Sequence, residues 1–274
     1  MGMQIFASPY CFREKIMGNL IRYTCQDDGM AFLTLANSPV NALSQNMLKE
    51  LLEVVNKIEN DPAVRVLIIS SNQRHFCVGL DLKEQTENNA DQSFESVQNI
   101  QSCFDRIAKL PIPVICAVNG AALGGGAELA ISGDFRILEE SSIIGFPEAS
   151  LGIIPGAGGT QRLPRLVGIS KAKYWIYTGN QFSSEEAMED GVADFIVDDG
   201  ILLESAIELA DEILSSGPLA VKAAKESIEK GMELPMDEAL NLEIKSFKKL
   251  VNTNDWREGL KAFTDKRKAN WKNE

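Results

Sequence analysis

The stretch Asn119-Gly-Ala-Ala-Leu-Gly-Gly-Gly-Ala-Glu-Leu-Ala130, continued by Phe146-Pro-Glu-Ala-Ser-Leu-Gly-Ile-Ile-Pro-Gly-Ala-Gly-Gly-Thr160, decides how this chain is read. Three consecutive glycines, Gly124 to Gly126, open an apolar helix whose one charge is Glu128. A carboxylate among Ala127, Leu129, Ala130 and Ile131 is costly to bury unless something pairs with it or uses it. Further on, Glu148 stands between Pro147 and the run Ala149 to Pro155, with Gly156, Gly158 and Gly159 behind it. Two carboxylates in apolar, glycine-rich surroundings suit proton transfer near neutral pH, because a raised pKa lets a Glu act as acid or base there. Glycine lets the backbone approach a ligand. The free N–H groups of a first helical turn carry partial positive charge and can stabilise a developing oxyanion. These parts suit chemistry beside a carbonyl, through an enolate-like state. Spacing alone leaves a second reading open, in which the glycines only permit tight packing and Glu128 faces solvent.

The flanks support the first reading. Pro113 to Val118 reads as a buried strand that runs directly into the glycine turn. A strand–turn–helix of this kind puts a site at the carboxyl end of a strand. Other glycine motifs fail. No Gly-Lys-Ser/Thr phosphate loop is present, and Gly120, Gly124 and Gly126 do not give the dinucleotide spacing. Upstream, residues 20–26 and 30–36 read as strands around the turn Asp27-Asp28-Gly29. Ser44 caps a helix with apolar positions Met47, Leu48, Leu51, Leu52, Val55 and Ile58, and Asp61-Pro62 ends it. Val64 to Ile69 suits a strand buried on both faces. Phe76-Cys-Val-Gly-Leu-Asp-Leu82 follows it, and then a polar stretch, Lys83 to Asn99, reads as a lid region. A helix ends over 104–110, and short strands are expected at 135–138 and 143–146. From Thr160 helical patterns dominate, at 161–166, 171–177, 184–189, 202–214, 219–230, 236–251 and 255–263, with a late strand at 191–197. The alternation of strands and helices predicts an α/β fold. The division expected is an N-terminal extension, 1–19, a core with the active site, 20–198, and a helical C-terminal region, 199–274.

Composition narrows the function. The 274 residues include 45% apolar and 24% charged side chains, as in an ordinary globular chain. The net charge of −12 argues against nucleic-acid and acidic-membrane partners. No apolar run has membrane-spanning length, and the N-terminus lacks a secretory pattern. Five scattered cysteines (Cys11, Cys25, Cys77, Cys103, Cys116) with no CxxC suggest reduced thiols in a cytoplasmic, bacterial-like compartment, or one reached after a leader is trimmed. The one histidine, His75, reads as a loop residue, and it leaves little room for a His-rich metal site or a Ser-His-Asp triad.

At Ala117-Val-Asn-Gly-(x)2-Leu-Gly-Gly-Gly-x-Glu-Leu-Ala130, at Phe146-Pro-Glu148 and at Gly152-x-x-Pro-Gly-x-Gly-Gly-Thr-Gln-Arg-Leu163, the chain resembles the enoyl-CoA hydratase/isomerase (crotonase) family. The likeness runs over roughly residues 20 to 273 and is greatest to short-chain enoyl-CoA hydratases. It implies a crotonase-like fold of stacked ββα units in a spiral core, with an all-helical C-terminal region that mediates trimer assembly, as a homotrimer or a dimer of trimers. It implies Glu128 and Glu148 as the catalytic pair, and the N–H groups of Leu80 and Gly125 as the oxyanion hole. Substrate contacts fall at Gly79, Asp81, Leu82, Gly124, Gly126, Pro147 and Gly156. At the basic tail, which holds Arg257, Lys261, Lys266, Arg267, Lys268 and Lys272, it implies that Phe263 packs on the pantetheine arm. Lys266 then meets the 3′-phosphate of coenzyme A bound by a neighbouring subunit.

The activity implied is reversible hydration of 2-enoyl-CoA thioesters, as in fatty-acid beta-oxidation. The acyl-CoA is the partner, and no metal or redox cofactor is called for. Three departures from the family pattern stand out, one of them Gly145-Phe-Pro147 in place of a glutamine-containing version in short-chain hydratases. Leu80 occupies a position where alanine is commoner, and Asn37-Ser-Pro39 replaces an Asn-Arg-Pro that often contacts phosphate. Alternatives in the same family are a 3,2-enoyl-CoA isomerase, which usually keeps one of the two carboxylates, and a branched or dicarboxylic hydratase of the methylglutaconyl type. An RNA-binding homologue is disfavoured by the charge.

Overall fold

The computed structural model describes residues 12–274, with side chains from Gly18 onward. The readings placed on residues 1–11, Cys11 among them, lie outside the described residues. Strands β1 (Phe12–Met17), β2 (Ile21–Gln26) and β3 (Met30–Leu35) form an antiparallel meander. The sheet therefore begins within the stretch read as an N-terminal extension.

Helix α1 (Gln45–Glu59) follows, with Ser44 Oγ accepting from the Met47 N–H at 3.2 Å. Its buried face is Met47, Leu48, Leu51, Val54, Val55 and Ile58, close to the apolar stripe the sequence predicts. Strand β4 (Val66–Ser71) then pairs in parallel with β3, Met30 opposite Val66. The expected lid region is helical: α2 (Leu82–Glu87) and α3 (Ala90–Ala108), the latter with an Asn89/Gln92 capping box. Strand β5 (Val114–Val118) is wholly buried. Short β6 (Ala121–Leu123) leads into α4 (Gly125–Ala130). Then come β7 (Phe135–Glu139), β8 (Ile143–Gly145) and a 3-10 turn over Pro147–Leu151.

Helices α5 (Gly159–Val167) and α6 (Ile169–Thr178), strand β9 (Gln181–Ser183), helix α7 (Ser184–Asp190) and strand β10 (Phe195–Val197) complete the core. The last four helices are α8 (Leu202–Leu214), α9 (Pro218–Gly231), α10 (Met236–Leu250) and α11 (Asn254–Thr264). They agree with the helical pattern read from Thr160 onward.

Two sheets result. The larger has the order β1-β2-β3-β4-β5-β7-β10 and is parallel from β3 onward; the smaller has the order β6-β8-β9. Along β5 the faces alternate. Val114, Cys116 and Val118 join the main core, and Ile115 and Ala117 join a second core under Leu202, Ala206 and Ala210 of α8. Burial on both faces explains why β4 and β5 read as continuous apolar runs. Among the described residues no helix is long and apolar enough to cross a membrane.

Candidate active site

The site forms where β5 and β6 hand the chain to α4. Gly124 precedes α4 at φ 54° and ψ −122°, a conformation strained for a side-chain-bearing residue. Gly126 sits against the Cys77 carbonyl oxygen, where a Cβ would overlap it. The glycine run thus lets α4 start in contact with the segment that ends at Leu80. That segment is locked from the other side: the Leu43 N–H donates to the Gly79 carbonyl at 2.8 Å and the Asp81 N–H to the Leu43 carbonyl at 3.2 Å. The Leu80 N–H between them has no acceptor among the described residues, and neither has the Gly125 N–H. The two strands of backbone are close: an ideal Cβ on Gly125 would lie 3.9 Å from the Leu80 nitrogen, and one on Gly79 would lie 3.1 Å from the Gly125 nitrogen.

Leu80, Gly125, Glu128, Glu148 and Gly156 meet at one cavity of about 30 Å³, closed by Val97, Ile100, Ile153, Ile154 and Ala157. That is room for a water molecule or two. Both carboxylates are buried, Glu128 at 3% exposure and Glu148 at 7%. The reading that turned Glu128 to solvent does not hold. Its Oε1 accepts from the Ala157 N–H at 2.7 Å and from the Gly159 N–H at 2.8 Å. Burial pushes its pKa up to about 7, against the pull of those bonds and of Arg162, with a further push from Glu148. Glu148 lies in the 3-10 turn behind Pro147, and its Oε2 is buried with no donor among the described residues. Burial raises its pKa as well. Two buried carboxyl groups, both with pKa values raised by burial, beside two free N–H groups, can move a proton while negative charge develops on a neighbouring oxygen.

Other residues singled out in the sequence have different places. Asp81 caps α2, its Oδ1 accepting from the Lys83 N–H at 3.0 Å and from the Glu84 N–H at 3.3 Å; Leu82 opens that helix and is largely exposed. They shape the turn after Leu80 and do not line the cavity. Phe263, at the end of α11, is 86% exposed, and Lys266 just beyond it is exposed too. Within one chain neither reaches the cavity. His75 is used structurally: its Nδ1 accepts from the Ala121 N–H at 3.1 Å. Burial pushes the Cys77, Cys103 and Cys116 thiols up to about 12, which leaves them unreactive as nucleophiles. Among the described residues no group of three or more His, Cys, Asp or Glu side chains is placed to hold a metal.

Sequence reasoning missed three contributors. The Ala157 and Gly159 N–H groups are the first. The dense glycines of Pro155-Gly-Ala-Gly-Gly159 signalled them, had the question been what holds a buried Glu128. Val97 and Ile100, on one face of α3, are the second. The third is Asn41, fully buried at φ 55°. Its Nδ2 lies within 3.0 Å of Ser71 Oγ and of the His75 and Phe76 carbonyls, and its Oδ1 accepts from the Asn37 N–H. It ties the loop before α1 to the segment that presents Leu80.

Comparison with known proteins gives the family and the fold. The enoyl-CoA hydratase/isomerase family profile matches residues 26–274. A putative enoyl-CoA hydratase/isomerase of Bacillus subtilis is 45% identical over 93% of this chain and 99% of its own length. The short-chain-enoyl-CoA hydratase of Clostridium acetobutylicum is 39% identical over 89% of this chain and 94% of its own. The mitochondrial methylglutaconyl-CoA hydratase of Mus musculus is also 39% identical, over 85% and 76%. The crystal structure of an enoyl-CoA hydratase from Bacillus anthracis superposes with a TM-score of 0.88 at 42% identity, covering 90% of this chain and 96% of that one. The fold is therefore crotonase-like, and the protein belongs to the enoyl-CoA hydratase/isomerase family and is an enzyme of that kind.

Proposed function

We propose that this enzyme adds water reversibly across the 2,3 double bond of 2-enoyl-CoA thioesters. The observation that carries the reading is the convergence of Glu128 and Glu148 on one small cavity beside the Leu80 and Gly125 N–H groups. The thioester oxygen would receive those two donors. As the oxygen of water bonds to C3, the 2,3 π pair moves toward C1 and the thioester oxygen gains charge, which the donors stabilise. Glu128 and Glu148 hold the water between them and take up its proton, and Glu148 exchanges the proton at C2. Collapse of the enolate-like state with a proton on C2 leaves the 3-hydroxyacyl thioester. Coenzyme A is part of the substrate, and the reading calls for no further cofactor.

Gly79, Gly124, Gly126, Pro147 and Gly156 keep the backbone close around the acyl group, and Asp81 and Leu82 order the turn beside it. Phe263 and Lys266 of a neighbouring subunit would hold the pantetheine arm and 3′-phosphate, which makes a trimer, or a dimer of trimers, the functional unit. Having two carboxylates favours hydration over isomerisation. Among the described residues no cationic side chain lines the cavity, so an acyl-chain carboxylate that reached it would meet two Glu and no partner. An uncharged chain is favoured, and the cytoplasm is the compartment we assign. A panel of crotonyl-CoA, 3-methylglutaconyl-CoA and a 3-enoyl-CoA tests this. Hydration should be fastest by far with crotonyl-CoA. Preference for the dicarboxylic thioester, or for isomerisation of the 3-enoyl one, would overturn the reading.

A further inference from the structure

The turn that holds Glu128 is itself held from outside. Arg162, in the first turns of α5, reaches back and donates through Nη1 to the Ala157 carbonyl at 3.0 Å. Its Nη2 meets Asp105 Oδ1 of α3 at 3.4 Å. The Arg162 side chain is only 20% exposed. Residue 157 thus faces two ways: its N–H holds Glu128, and its carbonyl is held by Arg162. Two more residues of α3 meet the same turn. Gln101 Nε2 donates to the Gly156 carbonyl at 2.9 Å, and Val97 packs against Gly156 so closely that a Cβ there would lie 2.5 Å from Val97 Cγ1. Val97, Gln101 and Asp105 recur every four residues and so share one face of α3. One helix face and one guanidinium therefore fix the conformation in which two N–H groups converge on a single carboxylate oxygen.

We propose that Arg162, braced by Asp105, is a positioning residue for Glu128, keeping the turn over 156–159 in the shape that holds Glu128 Oε1. Arg162 does not line the cavity and touches no reacting atom. The charged groups that bear on Glu128 are Glu148 across the cavity and Arg162 behind the turn. From α3, Asp105 faces Arg162 and is also paired with Lys109 at 2.7 Å. Loss of the guanidinium removes a favourable charge and frees the turn. Both changes move the Glu128 titration to higher pH.

The proposal rests on the hydration reading in one arm of its test and is independent of it in the other. In the first arm, Arg162→Gln and Arg162→Lys are compared in crotonyl-CoA hydration. Arg162→Gln should lose kcat by about tenfold to a hundredfold, the effect expected of a displaced catalytic group, with KM little changed. The limb of its pH–rate profile that reports Glu128 should move to higher pH. Arg162→Lys keeps the charge and one donor, and should restore the limb and part of the rate. Wild-type kcat with an unshifted limb in Arg162→Gln, even with a lower melting temperature, would overturn the proposal. If Arg162→Gln does not fold, wild-type kcat with an unshifted limb in Arg162→Met would do the same. In the second arm, the protonated carboxyl band that disappears in Glu128→Gln is titrated by infrared difference spectroscopy without substrate. Its midpoint should rise in Arg162→Gln, and an unchanged midpoint contradicts the proposal. This arm stands even if the protein hydrates no enoyl thioester.

Discussion

Glu128 and Glu148 share one cavity but are held in different ways: Glu128 is tied through Oε1 to the Ala157 and Gly159 N–H groups, whereas Glu148 keeps Oε2 buried without a donor among the described residues. One carboxylate is fixed in place and the other retains a free acceptor. A water between them would find one rigid partner and one with unspent hydrogen-bonding capacity. That asymmetry fits a site where a water is oriented and a proton is exchanged with a neighbouring carbon.

Burying Glu128 should be visible in stability as well as in rate. Its pKa is about 7 in the folded protein against 4.5 for the free group. The folded state keeps this proton through a window in which the unfolded chain loses it. The stabilisation is complete below about pH 4.5 and fades as pH rises through 7, by up to about 3 kcal/mol for a shift of this size. Glu148, also raised, acts with the same sign. Glu128→Gln lacks the titration, and its amide oxygen can still accept both N–H groups. Relative to wild type, the variant should therefore gain stability between pH 5 and pH 8. Denaturant unfolding across that range measures the difference, and a flat difference would contradict the burial argument.

Two glycines should resist replacement for separate reasons. Gly124→Ala forces a side chain into a positive-φ conformation with its Cβ 3.0 Å from Glu148 Oε1. Gly126→Ala drives a methyl group into the Cys77 carbonyl. Each should cost on the order of 1–3 kcal/mol, and each should lower kcat because the Gly125 N–H moves with the backbone. Thermal unfolding and kcat measured together test this. Wild-type values for either variant would show that the backbone here can relax.

Leu80 separates main-chain from side-chain roles. Leu80→Ala keeps the N–H and removes part of the cavity wall. Hydration of crotonyl-CoA should persist, and kcat/KM for longer enoyl chains should rise relative to it by roughly tenfold, the scale of a methylene contact in an apolar pocket. Collapse of activity on every chain length would mean that the side chain, not the N–H, is what matters.

Asn41 offers a test remote from the chemistry. Its buried amide joins three elements. Asn41→Ala should destabilise the protein by about 2–4 kcal/mol, because several buried groups lose partners at once. Thermal unfolding reads it, and a change under about 0.5 kcal/mol would be the scale of an ordinary surface site.

Much of this was legible in the chain, and the gaps have physical causes. The buried strands over 66–71 and 114–118 read correctly because burial on both faces leaves unbroken apolar runs. The C-terminal helices read correctly because amphipathic spacing marks them, with a side-chain cap, Thr253, only on the last. Strand β1 did not, because a polar edge strand such as Phe12–Met17 is defined by its partner rather than by its own pattern. The three-residue strand β9 is too short to carry a period and exists through its pairing with β8. Glu128, Glu148, Leu80 and Gly125, which the structure brings to one cavity, were singled out from local sequence and family likeness. The grip on Glu128 was not, because the Ala157 and Gly159 N–H groups that hold it come from main chain 29 and 31 positions away, and Arg162 bears on it only by way of the Ala157 carbonyl.

The central claim is that the paired carboxylates hydrate an enoyl thioester. The direct measurement is loss of the conjugated thioester absorbance of crotonyl-CoA, followed for the wild type and Glu148→Gln side by side. The account predicts rapid loss with the wild type, a rate about 10²–10⁴-fold lower with the variant, and retained acyl-CoA binding in both. Equal rates in the two proteins, or no hydration by the wild type, would contradict it.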